Sequence, residues 1–187
     1  MEADIQKGVE ILRAGGVLLY PTDTIWGLGC DASNESAVSR IAVIKKRTPA
    51  KSFIVLLADA EQLIHYVKDV PPLAWDLIEN SEKPLSIVYE GGMGLAPGVI
   101  SPDGSVAIRI TKDEFCKKLI RKFGKPVVST SANISSEEAP ALFQEIKEEL
   151  KKQVDYVVRW KQNDTRKSQS STIIRLAVNG EFKIIRP

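Results

Sequence analysis

Apolar residues along the chain recur with two periods, about 3.6 residues and two residues, and the switches between them outline the elements. Ile5, Val9 and Leu12 stand at helical spacing, and Gly15-Gly16 supplies a stop. Val17–Tyr20 predicts a short buried strand. Ala37, Ile41 and Ile44 mark one face of a second helix that ends among basic residues. Phe53–Leu57 suits a buried strand, and Glu61–Val67 and Leu73–Glu79 suit helices. Leu85–Tyr89 and Val106–Ile110 suit strands, separated by the Gly- and Pro-rich stretch Gly91–Gly104. A capping-box pattern at Thr111 and Glu114 precedes Phe115, Leu119 and Phe123 on one helical face. Pro126–Ser129 is the next expected strand, Leu142, Ile146 and Leu150 the next helix, and Val154–Val158 a further strand. Ser171–Leu176 and Phe182–Ile185 alternate around Asn179-Gly180, a two-residue hairpin signal. This order predicts an α/β protein: a twisted, mostly mixed sheet with helices on both sides, in one domain spanning 1–187.

Composition narrows the class without naming a function. The 187 residues are 43% hydrophobic and 27% charged, an ordinary globular balance. No stretch reaches the roughly 18–20 apolar residues needed to cross a bilayer, and the acidic Met1–Asp4 start does not read as a signal peptide. Cys30, Cys116 and the single His65 exclude a Cys/His zinc cluster of ordinary spacing. Unpaired thiols fit a reducing cytosol, so a cytoplasmic protein without membrane partners is expected. A net charge of +2 does not by itself argue for nucleic acid. The cluster from Lys117 to Lys125 reads as the solvated face and C-terminal end of a helix.

Three segments carry candidate chemistry. Pro21–Gly29 follows a strand, where α/β proteins place ligands, and offers two threonine hydroxyls, a carboxylate and two glycines. A turn in which Thr22 and Asp23 bond their own backbone is an equal alternative. Gly27–Ala32 also fits the dinucleotide fingerprint G-x-G-x-x-A, a rival reading that requires these residues to open a helix. Lys45–Ser52 concentrates Lys45, Lys46, Arg47 and Lys51. Lys45 and Arg47, two residues apart, diverge by about 200° on a helix. Both serve one ligand only if the helix has ended by Arg47, and Pro49 points to that. Fixed cations there suit a polyphosphate, solvated charges at a helix end being the alternative. Ser129–Asn133 ends a strand with small hydroxyl and amide side chains suited to phosphate oxygens or ribose. His65 has no motif linking it to a serine, and no P-loop is present.

Together the three segments resemble the motifs of the YrdC-type threonylcarbamoyl-AMP synthases, in their short, single-domain form. The family's PTDT-Y-GLG loop is similar to Pro21–Gly29, its K-x-R-x-x-x-K to Lys45, Arg47 and Lys51, and its S-T-S-A-N to Ser129–Asn133. Arg109 stands where the family carries a strand-borne arginine. Ser170–Ile174 and Ile185–Pro187 look like its S-T-I/V and I/L-R-P elements. Thr48-Pro49, Ser52-Phe53 and Ser135-Ser136 depart from the family pattern and alter loop shape more than charge.

The resemblance implies a sheet enclosing a basic concave cavity. It also implies a reaction: L-threonine, bicarbonate and ATP form threonylcarbamoyl-AMP and pyrophosphate, with Mg²⁺ assisting. A separate tRNA-modifying transferase complex would use the product to make threonylcarbamoyladenosine. By resemblance Lys45, Arg47 and Lys51 neutralise the phosphates, and Ser129, Ser131, Asn133 and Arg186 hold the nucleotide. Thr22, Thr24, Arg109, Ser170 and Ser171 hold threonine, and no protein metal ligand is assigned. Trp26 replaces the family's tyrosine. The alternative is an RNA-binding module of the same fold, with weak RNA binding and no synthase activity. Replacing Lys45 or Arg47 is expected to spare folding, since exposed charges add little stability.

Overall fold

The structure is a computed structural model that describes residues 1–47 and 53–187. Helix α1 spans Glu2–Arg13, followed by strands β1 (Leu18–Tyr20) and β2 (Gly27–Gly29) and helix α2 (Glu35–Ile44). Strand β3 (Ile54–Leu57), a 3₁₀ helix (Ala60–His65), helix α3 (Pro72–Asn80) and strands β4 (Leu85–Tyr89) and β5 (Val106–Ile110) come next. The chain continues through α4 (Glu114–Phe123), β6 (Val127–Ser131), a 3₁₀ turn (Phe143–Glu145) and α5 (Glu148–Lys151). It ends on β7 (Tyr156–Val157), β8 (Thr172–Leu176) and β9 (Phe182–Arg186).

Among the described residues nine strands form one mixed sheet in the order β7-β1-β2-β6-β3-β5-β4-β8-β9. Strand β6 runs antiparallel to both β2 and β3, so the mixing begins in the middle of the sheet and not only at the terminal hairpin. Helices α1 and α4 contact each other, and α4 contacts β3. The faces that pattern predicted, Ile5, Val9 and Leu12 on one helix and Phe115, Leu119 and Phe123 on the other, are buried. Their burial removes apolar side chains from water, each a contribution of about 1.5–3 kcal/mol before entropy is charged.

Several expectations need correction. Residues 27–29 form a strand, not a loop: Gly29 opposes Leu18, and a Cβ there would meet the Tyr20 ring at 2.5 Å. That glycine is required by close sheet packing. The dinucleotide fingerprint therefore fails, because Gly27–Gly29 lies in the sheet and the next helix starts only at Glu35, capped by Asn34. The cap of α4 is Asp113, whose carboxylate accepts the Cys116 N–H, and not the Thr111–Glu114 box. The helix expected over Leu142–Leu150 is interrupted. The Glu145 carboxylate accepts the Ala141 and Leu142 N–H groups, tightening the first part into a 3₁₀ turn before α5. The segment Glu61–Val67 is likewise 3₁₀ over Ala60–His65. The last hairpin has a three-residue loop: Ala177 N–H donates to Glu181, Gly180 N–H donates to Ala177, and Gly180 sits at φ 87°. Among the described residues no helix is long and apolar enough to cross a membrane.

Candidate functional site

A cavity of about 770 Å³ lies across one face of the sheet. Its floor is built by the period-two rule, in which alternate residues of each strand share a face. Ser129 and Ser131 of β6, Ile54 of β3, Ala107 and Arg109 of β5, Val88 of β4, Ile173 of β8 and Ile185 of β9 all reach it. The cavity is thus as wide as the sheet from β2 to β9, within the usual 300–1,000 Å³ of small-molecule sites. Its charged lining is Arg47, Arg109 and Arg186 against Glu137, an excess of positive charge that suits an anion.

The segment after α2 shows how one helix end serves two purposes. Lys46 N–H donates to Val43 and Arg47 N–H to Ala42, the paired bonds of a Schellman motif, with Lys46 in the left-handed region at φ 49°. The helix therefore ends at Lys45 by its own capping geometry, as the sharing of a ligand required. Lys45 then turns inward and Arg47 outward. Lys45 is 2% exposed, and its ammonium donates to the carbonyls of Ser131 (2.5 Å) and Asn133 (2.7 Å), with the Asn133 side-chain oxygen at 3.4 Å. The Ser135 N–H returns a bond to the Lys45 carbonyl. Burial, and then the charge of Arg47, push the Lys45 pKa down to about 8.

Arg47 reaches the cavity, with its guanidinium 4.4 Å over the Phe53 ring and a bond to the Thr130 hydroxyl at 3.3 Å. Burial lowers its pKa. The expectation that Lys45 could be replaced without cost to folding rested on exposure, and its burial overturns that premise. Lys51, Thr48, Pro49 and Ser52 lie outside the described residues.

Ser129, Thr130, Ser131 and Asn133 all line the cavity, though the Asn133 amide donates to the Ile134 and Glu137 carbonyls and so closes its own turn. Ser171, 1% exposed, shares a hydrogen bond with Ser86 at 2.8 Å, while Ser170 stands exposed at the rim. Arg186 donates from Nε and Nη2 to the Ser171 carbonyl, which pins β9's last arginine beside the cavity. Burial and the charge of Arg109 lower the Arg186 pKa. Thr22 and Thr24 share a hydrogen bond of 2.9 Å, and Thr22 also donates to the Ile25 carbonyl. The turn reading holds for Thr22, which is occupied by local bonds, but not for Asp23, which accepts from Lys112 and pairs with Arg109; Thr24 lines the cavity.

A second cavity of about 250 Å³ is bordered by Thr22–Trp26 and by Lys161, Asp164, Arg166 and Ser168. Trp26 packs against Phe143 at 4.7 Å between centroids and borders both cavities. Sequence reasoning missed Ser101 and Glu137 as lining residues and included Thr130 only as part of the Ser129–Asn133 segment. Thr130 was legible as the middle of a polar strand end, whereas Ser101 and Glu137 arrive on loops that carry no periodic signal.

A sheet whose face forms a cavity carrying three arginines places the molecule among α/β proteins with a pocket whose charge suits an anionic small ligand. Similarity to known proteins is more specific. The Sua5/YciO/YrdC family model, described as "Telomere recombination", matches residues 10–187. The chain belongs to this family, whose threonylcarbamoyl-AMP synthases are its curated relatives. It is 35% identical over 161 residues to the threonylcarbamoyl-AMP synthase of Vibrio cholerae, covering 84% of this chain and 86% of that one. To the synthase of Hahella chejuensis it is 35% identical over 153 residues, 81% and 83% of the two chains. P. abyssi Sua5 in complex with L-threonine superposes with a TM-score of 0.87 at 27% identity, over all of this chain and 54% of that one. This chain therefore spans about half the length of Sua5. E. coli YciO, a short form, gives 0.83 at 25% identity, over all of this chain and 89% of that one.

Proposed function

We propose that the protein is an L-threonylcarbamoyladenylate synthase, converting L-threonine, bicarbonate and ATP to threonylcarbamoyl-AMP and pyrophosphate. One observation carries the reading: Arg47, Arg109 and Arg186 converge with Ser129, Thr130 and Ser131 on a single cavity. The chemistry needs charge neutralisation more than proton transfer. Threonine's amine and bicarbonate form a carbamate with loss of water. An anionic carbamate oxygen then bonds to the α-phosphorus of ATP as the bridging P–O bond breaks, and that electron pair leaves on pyrophosphate. Both partners are anions, so fixed cations that hold them in line lower the barrier.

In this reading Arg47 and Lys51 face the phosphates, and Ser129, Ser131 and Arg186 flank the nucleotide. Arg109 pairs with the threonine carboxylate, helped by Thr24 and the serines at 170 and 171. Lys45 shapes the wall from behind, while Asn133 lines it with its amide closing its own turn. Mg²⁺ belongs to the nucleotide substrate, where it offsets phosphate charge. Among the described residues no three His, Cys, Asp or Glu side chains gather to hold a metal, so no step is assigned to the ion. The product would pass to a separate tRNA-modifying transferase complex.

The test is pyrophosphate release from ATP, with the adenylate identified by mass. The expected result is release that requires both threonine and bicarbonate. Absence of threonine-dependent turnover together with salt-sensitive RNA binding would replace the synthase by an RNA-binding module.

A further inference from the structure

Arg109 and Asp23 form an ion pair across the wall between the two cavities, with Nη2 and Oδ1 3.3 Å apart. Both side chains are buried, at 4% and 9% exposure. The pair is incomplete. Asp23 Oδ1 and Arg109 Nε have no hydrogen-bond partner, although Asp23 Oδ2 accepts the Lys112 N–H at 3.2 Å. Nε is sealed from the cavity as well as unpaired, so only the terminal nitrogens of Arg109 can meet a ligand there. The planar fork of arginine matches a carboxylate, which it binds by two parallel bonds when its plane is fixed. Strand β5 fixes only the Cα–Cβ direction of Arg109. Its far end is set by what touches it, and its ionic partner is Asp23.

We propose that Asp23 is a positioning residue for substrate recognition: it holds the Arg109 guanidinium from one side so that its terminal nitrogens are presented to the carboxylate of the amino-acid substrate. The inference rests on the synthase reading and adds a residue to it. Asp23 itself borders the smaller cavity and is not among the residues that line the larger one. Its loss should therefore weaken the amino acid and spare ATP.

The experiment compares Asp23→Asn, Arg109→Lys and the double variant by pyrophosphate release, with calorimetry of threonine binding alongside. Asparagine keeps the shape and an acceptor for the Lys112 N–H while removing the charge. The expected result is a threonine KM and Kd raised about ten-fold, the equivalent of one charge-assisted hydrogen bond. The ATP KM and the kcat at saturating threonine should change far less. In the Arg109→Lys background Asp23→Asn should add little, because it acts through Arg109. An unshifted threonine KM, an equal rise in both KM values, or additive effects in the double variant would overturn the proposal. If Asp23→Asn does not fold, Asp23→Glu is judged by the same criteria, its extra methylene displacing the carboxylate. Wild-type protein that neither binds threonine nor releases pyrophosphate with it would sink the synthase reading, and this inference with it. Wild-type turnover with an unshifted variant would sink this inference alone.

Discussion

Two cations are buried at the edge of the same cavity, and they are treated in opposite ways. Lys45 gives its ammonium hydrogens to the carbonyls of Ser131 and Asn133 and does not line the cavity. Arg109 lines the cavity and keeps Nε without a partner beside Asp23. A cation whose donors are taken by backbone carbonyls shapes the protein, and one paired with a single carboxylate keeps terminal donors for a ligand. The difference teaches that charge in a cavity wall is not one quantity. Part of it builds the wall, and part of it faces inward.

The largest expected effect comes from removing the builder. Lys45→Met leaves the Ser131 and Asn133 carbonyls without their donor and should cost about 1–3 kcal/mol of stability, read by denaturant titration. The turn that carries Ser131 would loosen, so activity should also fall by about 100-fold or more, a barrier increase of some 2.7 kcal/mol. A variant as stable and active as wild type would erase the distinction from Arg109. By contrast, Arg109→Lys retains a charge beside Asp23 and loses the fork. Its threonine KM should rise at least ten-fold while thermal stability stays near wild type. If stability fell as far as in Lys45→Met, both cations would be structural.

Acidity separates the two further. The Lys45 pKa is lowered to about 8 from 10.5 by burial and by Arg47. Below pH 8 both folded and unfolded states are protonated, and burial of the charge is a constant cost. Between pH 8 and 10.5 the unfolded state binds more protons, so this residue's contribution to stability rises with pH. Over the same window Lys45 loses the charge with which it grips the two carbonyls, so turnover should fall as pH passes 8. Stability and activity thus move in opposite directions, and Lys45→Met should abolish the stability increment. Parallel urea titrations and rate measurements at pH 7.5, 8.5 and 9.5, roughly spanning the window, check this.

The smallest effect is expected at the hinge between the two orientations. Lys46 occupies the left-handed region at φ 49°, where a side chain is strained. Lys46→Gly should stabilise by about 0.5–1 kcal/mol, the relief of strain exceeding the entropy of glycine. No gain in melting temperature would mean that Lys46 is held by contacts worth more than the strain.

Much of this arrangement was legible in the chain, and the remainder was hidden for definable reasons. Strands ending at Tyr20 and Leu57 were readable from short apolar runs, and the strand expected over Pro126–Ser129 runs on to Ser131; the convergence of the three segments on one site rested chiefly on the family resemblance. Arg109 looked like one more residue of an apolar strand, and only the family resemblance pointed to it. Strand β2 was hidden because Gly27-Leu28-Gly29 has no intrinsic strand preference. It forms because β1 and β6 offer it hydrogen bonds on both sides and Tyr20 needs a neighbour without a side chain. The inward turn of Lys45 was hidden because a Schellman motif is usually signalled by glycine, and here lysine takes that position. Burial of a polar network leaves little periodic trace.

A crystal soaked with ATP and L-threonine tests the contrast between Lys45 and Arg109 most directly. The threonine carboxylate should lie about 3 Å from a terminal nitrogen of Arg109, with Asp23 still paired to the guanidinium and Lys45 still on the Ser131 and Asn133 carbonyls. A Lys45 ammonium released from those carbonyls onto a phosphate, or a carboxylate bound away from Arg109, would contradict that contrast.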